Sequence, residues 1–158
     1  MTLVPFVRPR GGDEIRVRLD ADERALLTDL VGQLVSLLEN GDERDPALAR
    51  LLPAAYRDDA EAAAEFRRFT ADDLTRRKLE NGRAVLAVLG EPGSTLDRVA
   101  QRSWLRTLND LRLTLGERLG VTGDGVPASD DTQVQAMGHV FDWLGYLQEA
   151  LLRSLPEG

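Results

Sequence analysis

Apolar residues recur every three or four positions along most of the chain, a spacing that is typical of helices with one buried face. The first long segment begins where Asp20 and Glu23 form the pattern of a capping box, and the spacing predicts a helix over residues 21–39. Its apolar stripe is wide, so we expect this helix to be central and contacted on more than one side. The stripe consists of Leu26, Leu27, Leu30, Val31, Leu34, Val35, Leu37 and Leu38.

Five further helical segments are predicted, because stretches of Gly, Pro and acidic residues interrupt the helical spacing. They cover residues 46–52, 58–69, 70–89, 95–119 and 132–154. Thr70 separates the second of these from the third, since its hydroxyl is the predicted N-cap and Asp73 stands at the third helical position. Residues 120–131, which are rich in Gly, Pro and acidic side chains, are predicted to form a mobile linker.

Two short stretches before the first helix alternate between apolar and polar residues, which is the period of a half-buried strand. In residues 14–19, Ile15, Val17 and Leu19 face one way, and residues 3–8 alternate more weakly. The Gly-Gly sequence between the two stretches predicts a two-stranded β-hairpin. An isolated hairpin is only marginally stable, so we expect it to pack on the helices or on a partner's sheet edge.

Together these elements predict a mainly α fold, a five- to six-helix bundle around the first long helix, with an N-terminal two-stranded β-hairpin. We expect a single domain over residues 1–158, with the hairpin in 1–19, the helical core in 20–119, the linker in 120–131 and the C-terminal helix in 132–155. The C-terminal helix carries a second apolar strip. That strip predicts a homodimer, because an unused apolar surface is usually an interface.

Composition and charge limit the kinds of partner. The 158 residues include no cysteine, which excludes disulfides and thiolate metal sites. No apolar run approaches the roughly 20 residues that cross a membrane, and the first residues do not read as a signal peptide. We therefore expect a cytoplasmic protein with no membrane partner. The net charge of −7 makes nucleic acid an unfavoured partner, since phosphate binding needs concentrated positive charge.

The sequence offers little catalytic chemistry. His139 is the only histidine, so a transition-metal site would need carboxylates alone around it, and no Ser-His-Asp arrangement is indicated. Pairs of neighbouring carboxylates occur at residues 58–59, 72–73 and 130–131, but sequence neighbours on a helix do not face each other. We therefore predict a protein that is not an enzyme, with no catalytic residue, cofactor or metal.

Basic residues stand out in two places on the predicted helices. In the segment EFRRFTADDLTRRK, residues 65–78, two acidic residues stand four positions before two arginines, so much of the charge is paired locally. Arg98, Arg102 and Arg106 follow one another at intervals of four on one helix face. This stripe is either a solvated face or a docking surface for an acidic protein, and the sequence leaves both interpretations open.

Four stretches of the sequence are distinctive as a set. They are FVRPRGGDEIRVRLDADERALLTDLVGQL at residues 6–34, PAAYRDDAEAAAEFRRFTADDLTRRKLENGRAVL at 53–86, WLRTLNDLRLTLGERLGV at 104–121 and FDWLGYLQEALL at 141–152. This set resembles a family of actinobacterial proteins that is catalogued as a domain of unknown function and also called oxidative-stress regulators. The resemblance covers nearly the whole chain, with the predicted linker as a variable gap.

The resemblance implies a cytoplasmic regulatory protein that helps transcription respond to oxidative stress, through contact with a sigma factor or RNA polymerase. Family genes also tend to lie near one for the Clp protease adaptor, so a role as a Clp-protease-linked adaptor stays open. Redox sensing in the family is attributed to a cysteine pair, and this chain has no cysteine. Sensing would therefore reside in a partner or be absent.

The residues expected to contact a protein partner are mostly polar or basic side chains of the helical region. They are Tyr56, Arg67, Arg68, Lys78, Asn81, Asn109, Arg112 and Arg118. For the two asparagines, which lie within apolar rows, an interhelical hydrogen bond is the alternative explanation. The alternative function is a small DNA-binding regulator that uses the Arg-rich hairpin. Its nucleic-acid contacts would be Arg8, Arg10, Arg16 and Arg18.

Overall fold

The computed structural model describes residues 4–42, 44–52 and 64–157, and for residues 64–69 the description covers the backbone. Five helices and a small antiparallel sheet make up this part of the chain, which confirms the mainly α fold class. The elements are β1 (Phe6–Val7), β2 (Ile15–Val17), α1 (Ala21–Asn40), α2 (Pro46–Leu51), α3 (Ala64–Leu89), β3 (Thr95–Leu96), α4 (Arg98–Leu119) and α5 (Thr132–Ser154).

The sheet has three strands in the order β1-β2-β3, whereas the sequence predicts only the first two. Phe6 pairs with Val17, and Ile15 pairs with Leu96. The third strand occupies residues that were assigned to the start of a helix, so the predicted helix over 95–119 begins too early. A short strand here covers the free edge of β2, whose backbone groups would otherwise lack partners. Asp97 then caps α4, because its carboxylate accepts a hydrogen bond from the Ala100 N–H at 2.8 Å.

Helix α1 begins as predicted, with a complete capping box. Asp20 accepts a hydrogen bond from the Glu23 backbone N–H at 2.8 Å, and the Glu23 side chain accepts one from the Asp20 N–H at 3.1 Å. These two bonds satisfy donors that the first turn of a helix leaves free. Helix α2 begins in a related way, since Asp45 caps it and Pro46 occupies the first helical position.

The predicted break at Thr70 is wrong, because α3 runs through that position without interruption from Ala64 to Leu89. Most neighbouring residues favour helix strongly, and α3 packs on both α1 and α4, so tertiary packing outweighs the local capping signal. Threonine is compatible with a helix interior, as Thr75 shows by donating its hydroxyl to the Ala71 carbonyl at 2.7 Å. Residues 58–63 of the helix predicted over 58–69 lie outside the described part of the chain.

Helix α4, rather than α1, occupies the centre of the bundle. It contacts α1, α2, α3 and α5, whereas α1 packs mainly on α3 and less on α4. Trp104 of α4 is completely buried, and its ring meets the Phe6 ring edge-on, with 5.9 Å between centroids and an interplanar angle of 86°. The predicted hairpin therefore packs on the helices of its own chain, and β1 also contacts α5.

The segment between α4 and α5 begins with Gly120, which ends α4 in the left-handed conformation at φ 71°. Thr122 and Gly125 form an isolated antiparallel bridge just after it. Val126 lies beside Gly138 of α5, where a Cβ would be in ordinary van der Waals contact with the valine methyl group at 3.6 Å. The mobility of residues 120–131 stays a prediction.

Replacing Phe6 by alanine is expected to lower the free energy of unfolding by about 3–5 kcal/mol, because it leaves a cavity against the buried Trp104 ring. Denaturant unfolding followed by circular dichroism measures the change. Val4→Ala is the matched control on the same segment, since Val4 is 58% exposed and its truncation should stay within about 0.5 kcal/mol. Equal effects for the two substitutions would contradict the assigned packing.

Candidate interaction surface between helices α3 and α4

A polar cleft of about 450 Å³ lies between α3 and α4, and we refer to it as the α3–α4 cleft. It brings together Lys78, Asn81 and Asn109, three of the eight residues that the sequence suggests for partner contact. The full set of described lining residues is Leu74, Arg77, Lys78, Asn81, Leu105, Arg106, Asn109 and Asp110. The set contains three cationic, two apolar and two amide side chains together with one carboxylate.

Lys78, the only lysine of the chain, forms an ion pair across the cleft with Asp110. The Lys78 Nζ lies 2.7 Å from the Asp110 Oδ1, and the two side chains are 17% and 3% exposed. Burial raises the pKa of Asp110, while the hydrogen bond and charge of Lys78 oppose the rise. An ammonium group has three donors, so Lys78 keeps two for other groups in the cleft.

The two asparagines of the cleft have different roles. Asn81 accepts a hydrogen bond at 3.0 Å from the hydroxyl of Ser103 on α4, so the interhelical explanation is confirmed for it. Asn109 is exposed at the rim, and its side-chain amide makes no hydrogen bond to another described residue. Its amide is therefore the freer of the two to contact a ligand.

The arginines of the cleft differ in how far their charge is already neutralised. Arg77 donates through Nε to Asp73 at 2.9 Å, and Arg76 also donates to Asp73. Hydrogen bonds from Arg77 and then Arg76 hold the pKa of Asp73 below its usual value. Arg106 is exposed and forms no ion pair with any described residue, so it supplies the least compensated positive charge of the cleft.

The stripe formed by Arg98, Arg102 and Arg106 is only partly free for a partner. Arg98 pairs with Asp13 of the turn before β2, at 3.3 Å. Arg102 is exposed like Arg106, and neither forms an ion pair within the described residues. The free part of the stripe is therefore continuous with the α3–α4 cleft.

Two of the suggested contact residues lie away from the cleft. Arg112 is held between α4 and α5, where it donates to Gln148 at 3.1 Å and its guanidinium lies 5.0 Å from the centroid of the Phe141 ring. The guanidinium also lies beside Gly145 of α5, where a Cβ would be in ordinary van der Waals contact with it at 3.5 Å. Arg118 donates to Asp45 at 3.3 Å near the end of α4.

The other suggested residues are distributed as follows. Tyr56 and the side chains of Arg67 and Arg68 lie outside the described part of the chain. In the hairpin, Arg8 donates to the carbonyls of Ser154 and Gly12, both at 3.2 Å. The remaining hairpin arginines, Arg10, Arg16 and Arg18, are exposed.

Asp110, the residue that fixes Lys78 in the cleft, is absent from the residues that the sequence suggests. Its signal is its position in a helical row with Ser103 and Thr107, all three of which are buried on α4. A buried charge requires a partner of opposite sign, and the single lysine of the chain provides it.

No group of three or more His, Cys, Asp or Glu side chains that could hold a metal ion occurs within residues 4–42, 44–52 and 64–157. In the same ranges, no helix is long and apolar enough to span a bilayer.

The fold and the cleft define a mainly helical protein with a small antiparallel sheet and a polar, cationic groove beside its central helix. The chain belongs to the family described as a domain of unknown function, DUF2017, whose model matches residues 4–155. This finding confirms the family resemblance of the sequence. No solved structure matches the chain.

Curated relatives carry the name of a regulator. The chain is 28% identical over 188 residues to the oxidative stress regulator AosR of Mycobacterium tuberculosis H37Rv, with 94% of this chain and 85% of that protein covered. The oxidative stress regulator AosR of Mycobacterium bovis matches with the same identity and coverage. These names fit a regulatory protein rather than an enzyme.

Replacing Asp110 by asparagine is expected to lower the free energy of unfolding by about 3–5 kcal/mol, because it leaves the largely buried Lys78 charge without a counter-charge. The double variant K78M/D110L should recover most of this loss, since well-packed apolar residues can replace a buried ion pair. Glu117→Gln is the control: it breaks the exposed ion pair with Arg50 and should cost less than about 1 kcal/mol.

The Asp73 carboxyl is expected to titrate below its usual pKa of 3.8 in a carbon-detected NMR titration. A lowered folded-state pKa means that the stabilisation is present above pH 3.8 and is lost as the pH falls through the folded value. Arg77→Gln should move this pKa upward. Arg83→Gln, which removes an arginine from the same helix that pairs with Glu39 instead, should leave it in place.

Proposed function

We propose that this chain is a non-enzymatic, cytoplasmic regulatory protein of the oxidative-stress response, which acts through protein–protein contacts made by the α3–α4 cleft. The observation that carries the proposal is the convergence of Lys78, Arg106 and Asn109 on one cleft of an otherwise acidic chain. The names of the curated relatives support the regulatory part of the proposal.

The chemistry of the cleft defines the partner segment that fits it. Arg106 and the free donors of Lys78 would bind carboxylates, and Asn109 would bind a backbone or side-chain amide. Leu74 and Leu105 offer apolar contact between these polar groups. The expected ligand is therefore a partner segment with acidic and aliphatic side chains, displayed by a sigma factor or by a subunit of RNA polymerase.

The lack of cysteine bears on how such a regulator would work. This chain cannot form a disulfide or a sulfenic acid, so it cannot respond to an oxidant by thiol chemistry. In the proposed function, the oxidant modifies a partner protein or alters its abundance, and this chain supplies the docking surface.

A binding assay with purified proteins tests the proposal. RNA polymerase core enzyme and the sigma factors of the same organism are titrated separately against the chain by biolayer interferometry. Arg106→Gln is expected to weaken binding about tenfold, the effect of losing roughly 1.4 kcal/mol of charged hydrogen bonding. Asp73→Asn is expected to strengthen binding, because it releases Arg77 from its local carboxylate.

The matched control for this assay is Arg16→Gln, which removes an exposed arginine of the hairpin and leaves the cleft intact. An unchanged affinity for R106Q, with a loss for R16Q, would contradict the cleft as the contact surface. Recovery of Clp components instead of transcription proteins in a pull-down from the same cytoplasm would favour the adaptor role.

DNA binding by the hairpin is the competing proposal, and the exposure of Arg10, Arg16 and Arg18 supports it. Phosphate contacts release counterions, so such binding must weaken steeply with salt, by roughly one power of the salt concentration for each phosphate neutralised. A duplex-DNA titration at several salt concentrations decides the question. Phosphate contacts are strongest at low salt, so the absence of DNA binding at low salt would exclude this alternative.

A further inference from the structure

A second concave surface, of about 430 Å³, lies on a different face of α4, between α1 and α5. We refer to it as the α1–α5 groove. Its walls are aliphatic, with Leu30 and Leu37 from α1, Leu115 from α4, and Met137 and Val140 from α5. Both α1 and α5 pack on α4, so the groove opens where these two outer helices leave the central helix uncovered.

Charge is confined to one end of the groove, while Gln33 and Thr114 are further polar side chains along its walls. Arg118 is the single charged side chain among its described lining residues, and the amide of Gln133 lies at the same end, where α4 finishes and α5 begins. Arg118 is paired with Asp45 at 3.3 Å, but its side chain is 49% exposed. Exposed ion pairs contribute little free energy, so the guanidinium can turn toward an anion that enters the groove.

The size of the groove is that of a small-ligand pocket. Ligand pockets in proteins typically measure about 300–1,000 Å³, and this groove falls within that range. The wall from Leu26 to Leu37 on α1 is roughly 16 Å long, which suits an extended alkyl chain.

We propose that the α1–α5 groove binds a free monocarboxylate with an unbranched aliphatic chain, whose carboxylate contacts Arg118 and whose chain lies among the aliphatic walls. One cation at the end of an otherwise uncharged groove complements one anionic head group on an apolar body. This site is separate from the α3–α4 cleft, and its occupation does not depend on the identity of a protein partner.

Dodecanoate, used below its critical micelle concentration, is the probe that tests the site. Isothermal titration of the full chain is expected to show saturable binding of one molecule per chain. Arg118→Gln should weaken dodecanoate binding about tenfold, since it removes a charge-assisted hydrogen bond. Dodecanol, which has the same chain and a neutral head, should bind both forms equally.

Met137→Gln tests the apolar wall. The amide has nearly the length of the thioether and places a polar group among aliphatic side chains, so both dodecanoate and dodecanol should bind at least tenfold more weakly. Arg102→Gln is the control, because Arg102 is exposed on α4 and does not line the groove. Circular dichroism confirms that each variant is folded.

Four outcomes would overturn the proposal. They are the absence of saturable binding by the folded chain, equal dodecanoate affinity in wild type and R118Q, sedimentation only with anionic phospholipid vesicles, and a doubled mass in light scattering that M137Q abolishes and dodecanoate does not. The last outcome would assign the groove to a second copy of the chain. None of them depends on the binding of an acidic protein to the α3–α4 cleft, so failure here leaves the proposed function standing.

Discussion

The burial of α4 is the constraint on which the rest of the structure depends. This helix contacts four other helices, and its Trp104 side chain is completely buried. The cover over Trp104 comes from Phe6 near the start of the described chain, while α5 at the other end also packs on α4. The two ends then meet, because the Ser154 hydroxyl donates to the Phe6 carbonyl at 3.3 Å and Arg8 donates to the Ser154 carbonyl. The burial of α4 thus brings the small sheet and the last helix to the same side of the bundle.

Polar residues on α4 then specify how its neighbours align with it. Buried Gln101 donates to the carbonyls of Leu96 and Asp13, at 2.9 and 2.6 Å, and thereby joins the helix to the sheet. Asp110 and Ser103 serve the same purpose toward α3, through Lys78 and Asn81. Buried polar groups are costly without partners, so these bonds disfavour other alignments of α3 on α4. The α3–α4 cleft is a consequence, since the interactions that align the helices also place a cation and amides along their junction.

Local signals were sufficient for the starts of α1 and α2, which side-chain caps mark, and insufficient wherever a distant element decides the outcome. Asp20 with Glu23, and Asp45 with Pro46, identify the starts of α1 and α2 directly. Thr95 and Leu96 become a strand only because β2 offers them an edge, and α3, which packs on α1 and α4, continues through Thr70. Similarly, the sequence singles out Lys78 as the lone lysine. Its pairing with Asp110 depends on the packing of α3 on α4, and the helical spacing of apolar residues does not reveal how two helices pack.

The electrostatics of an acidic chain with a cationic cleft favour selective binding over general attraction. A net charge of −7 repels other acidic proteins at a distance, but salt limits this repulsion to about 8 Å under physiological conditions. Within the cleft, the distances are those of hydrogen bonds, and Asp110 already neutralises part of the positive charge of Lys78. A merely acidic protein therefore gains only its contacts with Arg106 and with the remaining donors of Lys78. A partner gains most when it also contacts Leu74 and Leu105 and pairs with the Asn109 amide, because those contacts are short-ranged and depend on shape.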